Sequence, residues 1–345
     1  MGLELVASEH WPADFWEQWD RLNQQHSQNH PMLQSRFVAP LVRYFSEGLM
    51  AVISRTGPEV NGILLVSSAA RWGGVVRSAF LPSQAQIALL QAGNEPELFL
   101  TDCHRLLPTL TLRFDLFAVD SKYQRAICEI PKTDRVVRGT DMSISLAGTF
   151  DAYWNDRPRN LKKNINRYRN RLQRDVGEAT LVLRRGDDVL LAVDRYGFLE
   201  SRGWKGAAGT ALHPGNHQGQ FYREVLERFA LSDHAIVFEM WANDQLYASR
   251  LCIHNEQQLI ILKTSFREEA RAFAPGRLLL FSMLEHLFES HMVQEVEFYT
   301  NASKEQLDWS TASRPTFNLS LHRAGITRQV QKAIQQIELK WSARR

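Results

Sequence analysis

Residues 235–266 constrain the fold of this chain more than any other stretch. They hold three apolar runs, AIVFEMWA (235–242), QLYASRLCIH (245–254) and QLIILKTSF (258–266), rich in β-branched and aromatic residues. Asn243-Asp244 and a turn beginning at Asn255-Glu256 separate them. Connections this short join antiparallel neighbours, so the runs form a meander. The chain then crosses a charged loop, enters an apolar helical stretch at 277–291 and returns to a strand, EVEFYT (295–300). A helix between two strands of one sheet is a crossover, which implies a mixed sheet with a βαβ unit at its centre. A short helical piece around 303–310 and a last strand, TFNLSLHR (316–323), complete this half.

Ahead of the meander lie a basic helix at 157–174, a strand at 180–184 and helices at 187–202 and 219–231. The first half has a similar grammar. A helical stretch with Trp11, Phe15 and Trp19 leads through NHPMLQ to strand-like runs at 49–55, 62–68 and 75–81, punctuated by Gly57-Pro58 and Gly73-Gly74. A helix near 83–105 and a strand near 109–118 follow. The polar segment 132–150 reads as a turn-rich junction, so the expected domains are 1–145 and 146–345. A length of 345 residues suits two cores.

Composition bounds the function. Hydrophobic residues make up 44% and charged residues 23%, as in ordinary globular chains, and the net charge of +3 is too small to point to nucleic acid. No apolar run approaches the roughly 20 residues of a membrane span. The start, MGLELVASEHWPADFW, has no basic n-region, and Val6 stands where a myristoylation signal needs Ser or Thr. Cys103, Cys128 and Cys252 are scattered, which fits reduced thiols in a cytoplasmic protein.

The loop into the helix reads FAPGRLLL (273–280). A helix N-terminus carries unpaired N–H groups and partial positive charge, and binds phosphate readily. Gly276 lets a ligand approach the backbone, and Arg277, with Arg267 and Arg271 ahead of it, can fork onto phosphate oxygens. Pro-Gly is equally a plain turn between solvated arginines. In the basic helix, Leu161, Ile165, Tyr168 and Leu172 form one apolar stripe, and the other faces carry eight Lys or Arg and no acid. That surface is either a solvated face or a dock for an acidic partner, such as an acyl carrier protein, a nucleotide or tRNA. Glu200, Trp204 and Lys205, in FLESRGWKG, make either a plain helix exit or a pocket wall. Cys252 and His254 share a strand face and form a possible nucleophile pair. His213 and His217 lack further ligand neighbours, so no metal is expected.

Taken in order, HPMLQSRF, LKKNINRYRNRL, FLESRGWKGAAGTAL, ASRLCI with LKTSF, AFAPGRLLL and LDWST resemble the GNAT acyltransferase superfamily. More narrowly, they resemble the acetyltransferase family tied to bacterial cellulose biosynthesis and related to the Fem peptidyltransferases. The resemblance covers nearly the whole chain. It implies an α/β fold of two tandem GNAT-like domains, each a mixed, mostly antiparallel sheet flanked by helices. The first would be a scaffold on the acceptor side, the second would bind acetyl-CoA or another acyl-CoA, and the acceptor would lie in the groove between them.

By this resemblance the open strand, at Thr264, Ser265 and Phe266, pairs with the pantetheine arm and supplies an oxyanion N–H. Arg271, Ala274, Pro275, Gly276, Arg277 and Leu278 hold the pyrophosphate. Glu200, Trp204 and Lys205 lie near the acceptor. Direct attack of an amine on the thioester is implied, with a carboxylate base acting through water. Glu239 is the first candidate for that base and Asp308 the second. The thiolate is protonated in this superfamily by a late-helix Tyr, which is absent here, and Tyr299 is the nearest substitute. The acceptor implied is an amine of a sugar, amino acid or peptide, in polysaccharide biosynthesis. The alternatives are a Fem-like transferase using aminoacyl-tRNA and a non-catalytic GNAT module.

Overall fold

The structure, a computed structural model, describes residues 2–67, 76–107, 111–131, 133–201, 212–213, 215–323, 333 and 336. The chain forms two compact units: Met1–Ser27 with Ser46–Arg138 and Phe317–Arg345, and Gln28–Phe45 with Gly139–Thr316. The first unit holds α1 (Phe15–His26) and the antiparallel sheet β1-β2-β3-β5, from strands Gly2–Ala7, Leu49–Thr56, Glu59–Ser67 and Leu90–Ala92. β4 (Val76–Ser78) pairs in parallel with β6 (Arg113–Asp120). Val52, Leu64, Phe99, Phe114 and Leu116 are at most 3% exposed and anchor its core, with α3 (Pro96–Leu106) over them.

One expectation in this unit fails for a clear reason. A helix over 83–105 is not formed, and only 96–106 is helical. Ile87, Ala88, Leu89 and Leu90 are all buried, so the run has no polar face for a surface helix. Pro96 then opens α3 at its first turn. A short helix α4 (Arg125–Cys128) follows β6.

The segment 132–150 is likewise not a turn-rich junction, because it contains the 12-residue strand β7 (Asp134–Ser145). Its first five residues are all exposed, Val136 and Val137 included, which hides the strand, while Met142 and Ile144 further on are buried. Residues 134–138 of β7 fall in the first unit and 139–145 in the second.

The second unit is built on β7, β12 (Glu295–Phe298), β11 (Gln258–Phe266), β10 (Gln245–His254), β9 (Ala235–Ala242) and β8 (Thr180–Arg184), adjacent in that order. The meander is as expected: β9, β10 and β11 pair antiparallel and end on the expected residues. β11 pairs in parallel with β12, and the crossover between them is the helix α9 (Pro275–Ser290). The helices α2 (Ser35–Phe45), α5 (Phe150–Asn155), α6 (Arg159–Asp175), α7 (Asp188–Ser201) and α8 (His217–Ala230) flank this sheet.

α9 is buried on most of its surface, with Leu279, Met283, Leu284 and Leu287 at 0% exposure. Burying each such side chain stabilises the fold by roughly 1.5–3 kcal/mol. α6 carries the expected stripe, with Leu161, Ile165 and Leu172 buried. It ends at Gly177, whose φ of +126° suits glycine and whose N–H reaches Leu172 O at 3.1 Å. Among the described residues no helix is long and apolar enough to cross a membrane.

Each unit contains an imidazole held neutral by burial. His104 in the first and His254 in the second are pushed below the ordinary value of 6.5, chiefly by desolvation. A lowered folded value means that the unfolded chain takes up protons first as pH falls. Stability from these groups is therefore complete above about 6.5 and declines as pH drops below it. The urea midpoint at pH 5.5 is expected below that at pH 7.5 by circular dichroism, and an equal or higher midpoint refutes this.

Candidate functional site

The parallel pairing of β11 with β12 covers only Gln258–Ile260 against Glu295–Glu297. Beyond it β11 continues to Phe266, whereas β12 ends at Phe298. On its other edge β11 has a bulge at the same place: Leu251 faces Lys263 and Cys252 faces Ile261, so Leu262 is the extra residue. A bulge bends its strand and increases its twist. The two strands part here, and a cavity of about 690 Å³ opens between them. Ile261, Thr264 and Phe266 line one wall, and Phe298, Tyr299 and Thr300 line the other. Trp309, 3% exposed, closes one side, its carbonyl fixed by the Tyr153 hydroxyl at 2.7 Å.

The mouth is formed by the start of α9. Pro-Gly is not a turn here. Pro275 is the first helical residue and Gly276 the second, so α9 begins two residues ahead of expectation. Proline fits that place because its fixed φ is already helical and its missing N–H would have no acceptor. The turn falls on Ala274, which is left-handed at φ 48°, ψ 53°, a strained conformation for a residue with a Cβ. Gly276 N–H, within the first turn, has no intrahelical acceptor. A Cβ on Gly276 would stand 3.7 Å from Phe266 Cδ1 and 3.8 Å from Thr264 Cγ2, so packing does not demand the glycine. Its bareness leaves the backbone open to the cavity.

The most informative residue was not singled out in the sequence. Arg250 on β10 lines the cavity at 7% exposure. One Nη donates to Gly276 O at 3.1 Å, while its Nε has no partner. Burial pushes the guanidinium down to about 10. A buried cation with an unused donor, beside a helix N-terminus, has the charge and donors to suit an anion. The signal for it lay in ASRLC, where Arg250 alternates with Ala248 and Cys252 on an otherwise apolar face.

Of the residues expected to hold the donor, Thr264, Phe266, Arg271, Ala274, Pro275, Gly276 and Arg277 line this one cavity. Ser265 points to the opposite face, and Leu278 is buried in the core instead of the wall. Arg277 pairs with Glu305, from the short helix α10 (Lys304–Leu307). Tyr168 of α6 also lines the cavity, so the apolar stripe serves the site as well as the core.

Tyr299 is in the wall, within 2.6 Å of His30 Nε2. Asp308 caps α10 and does not line the cavity. Glu239 lies on the face that holds Ser249 and Ser265, at 0% exposure, away from the cavity wall. Its carboxylate takes Arg184 at 2.9 Å, Arg195 at 2.8 Å and the Trp241 indole at 3.1 Å.

Glu200 is buried, accepting from the Tyr196 hydroxyl at 3.1 Å and from the Leu212 N–H at 2.8 Å. Trp204 and Lys205 lie outside the described residues. The Cys252 thiol is fully buried and pushed up to about 12, which is opposite to what a nucleophile needs. No group of three or more His, Cys, Asp or Glu among the described residues is placed to hold a metal.

Residues 159–306 match the family model of the acetyltransferase (GNAT) domain. Over that stretch the chain is similar to GNAT acetyltransferases, and the match supports an acyltransferase. The solved structure of FemX resembles it with a TM-score of 0.59 at 9% identity, covering 97% of this chain and 99% of that one. The C-terminal domain of a protein assigned as a lysylphosphatidylglycerol synthetase, from Agrobacterium fabrum, resembles it with a TM-score of 0.57 at 11% identity, covering 94% and 95%. L-PGS from Bacillus licheniformis follows at 0.52 and 10%, covering 86% and 94%. At these identities the likeness is one of fold. No curated protein matches the chain in sequence.

The placement of Glu239 gives a direct test. Glu239→Gln leaves two arginines short of their counter-charge and is expected to cost about 1–3 kcal/mol of stability. Turnover per folded molecule should be little changed. Chemical denaturation beside an activity assay decides it, and full stability with abolished turnover would make Glu239 a catalytic group instead.

Proposed function

We propose that this chain is an acyl-CoA-dependent N-acyltransferase. The observation that carries the reading is Arg250, buried with a free Nε next to the exposed first turn of α9, at the mouth of the cavity between β11 and β12. A pyrophosphate would sit on Gly276 N–H and the arginines, and pantetheine would extend along the freed edge of β11. There it runs along β11 beyond the pairing with β12, as a strand added to a sheet edge would. An N–H of Thr264–Phe266 would then stand near the thioester oxygen as the oxyanion donor.

The amine attacks the carbonyl directly, a reading favoured by the inert Cys252. Tyr299 is our choice of acid for the leaving thiolate. With Glu239 saturated and Asp308 outside the cavity wall, a cavity water is left to carry the amine's proton to the Tyr299 phenolate. We place the acceptor as an amine of a sugar, amino acid or peptide. Within the superfamily we place the chain nearest the acetyltransferases of bacterial cellulose biosynthesis, acting in the cytoplasm where acyl-CoA is made.

A second donor source is favoured by α6. Its exposed Arg159, Lys163, Arg167 and Arg171 lie on the helix whose Tyr168 lines the cavity. An acidic acyl carrier protein docked on this face would feed the same pantetheine arm into the same cavity. An aminoacyl-tRNA would use the basic face without needing the pyrophosphate cradle.

Thermal unfolding with CoA, acetyl-CoA and a longer acyl-CoA separates these readings. A ligand at 100 times its dissociation constant adds about 2.7 kcal/mol to the folded state. The wild type should show this shift and Gly276→Glu should lose it, since its Cβ meets only ordinary contacts and a negative charge at this helix start would repel phosphate.

Arg250→Met provides the sharper control. Removing a desolvated cation should leave the unliganded protein as stable as the wild type, or more stable, while abolishing the shift. An undiminished shift in Arg250→Met would remove the buried arginine from the donor site. No shift with any CoA species would sink the acyl-CoA reading.

A further inference from the structure

We propose that His30 and Arg314 are positioning residues that hold the Tyr299 hydroxyl as a proton donor to the cavity; this rests on the acyl-transfer reading above. Tyr299 directly follows β12, at the place where that strand parts from β11, and lines the cavity. Two side chains converge on its oxygen. Arg314 Nη2 donates from 3.3 Å, while Nη1 of the same guanidinium is held at 2.8 Å by Glu297, which is 0% exposed. His30 Nε2 stands at 2.6 Å, its ring edge-on to the tyrosine at an interplanar angle of 89°.

The backbone that presents His30 is strained and clamped. Gln28 and Asn29 are both left-handed, at φ 55° and 51°, each at a cost to a residue with a Cβ. The Asn255 amide donates to Asn29 O at 2.9 Å, and the Gln34 amide donates to the same oxygen at 3.2 Å. His30 itself is fully buried. The two amide clamps fix where this loop places the imidazole.

The chemistry follows from the donor inventory. A guanidinium can only donate, so Arg314 gives the tyrosine oxygen one hydrogen bond in every state. With the proton of His30 on Nε2, a second donor meets the same oxygen. Hydrogen bonds and a cation at a phenol oxygen favour the phenolate, which makes the hydroxyl a readier acid. As the amine nitrogen bonds to the acyl carbon, the C–S bond breaks and its electron pair leaves with sulfur. Sulfur takes the proton of Tyr299, and the phenolate regains one from the newly acylated nitrogen. The net products are an amide and a thiol. The other charged groups lining the cavity are Arg250, Lys263, Arg271, Arg277 and Glu305, a net cationic set that favours the same direction.

Two measurements test this without any acyl donor, so they stand or fall apart from CoA binding. Long-range proton–nitrogen correlation on histidine-labelled wild type reads the tautomer of His30. A proton on Nε2 supports the proposal, whether the ring is neutral or charged. A neutral ring protonated on Nδ1 overturns it, because Nε2 would then accept the tyrosine's proton. The titration of Tyr299, followed by its 13Cζ resonance and assigned with Tyr299→Phe, is expected to move to higher pH in His30→Phe. It should return toward wild type in His30→Gln, whose amide can donate. An unmoved titration in a folded His30→Phe protein overturns the proposal, and where that variant does not fold, the wild-type tautomer decides.

Discussion

The structure turns on a missing set of hydrogen bonds. β11 and β12 pair for only three residues and then separate, with Leu262 as the extra residue that bends β11 away. In a regular sheet β11 would go on pairing with its neighbour along this edge, because buried main-chain N–H and C=O groups are costly to leave unmade. Here the neighbouring strand stops, and a cavity takes its place. The helix α9 is committed to the same geometry. It must begin near the end of β11 and run back over the sheet to start β12, so its N-terminus opens on the gap. One local irregularity therefore yields a strand edge, a helix dipole and a cleft at a single point.

Two buried ionic groups on neighbouring strands show how context separates support from function. Glu239 and Arg250 are both withdrawn from water, and both occupy strands of the meander. Glu239 faces α7 and is satisfied there by two arginines and an indole, so its charge is already spent on the fold. Arg250 faces the cavity with an unused donor and a depressed affinity for its proton. The face of the strand decides the difference, since residues opposite each other across antiparallel strands share a face. Glu239 aligns with Ser249 and Ser265, whereas Arg250 aligns with Thr264 and Phe238.

Much of this was legible in the chain. The meander was readable because short turns and apolar runs leave few alternatives, and its strands end where the pattern placed them. The loop ahead of α9 was singled out from amide geometry with a plain turn left open, and the helix starts earlier than read because proline prefers its first turn. β7 was not readable, because Asp134–Arg138 are all exposed, Val136 and Val137 included, and show no alternating buried face. The identity of a base was not readable either: a carboxylate in a strand looks the same in sequence whether it faces a cavity or a pair of arginines. His30 and Tyr299 are 269 residues apart, and no local pattern links them.

That separation bears on how the site is built. The segment 28–45 comes early in the chain but packs within the second unit, where α2 meets α8 through Phe37 and Phe221 at 5.5 Å. Asn255, in the turn between β10 and β11, holds the main chain just ahead of that segment's first helical turn. The same turn aligns β11 against β10, and so fixes where the bulge falls. A shift of that turn would disturb both the opening of the cavity and the imidazole beside Tyr299. The strand edge along the cavity and the His30–Tyr299 contact are thus both tied to one connection.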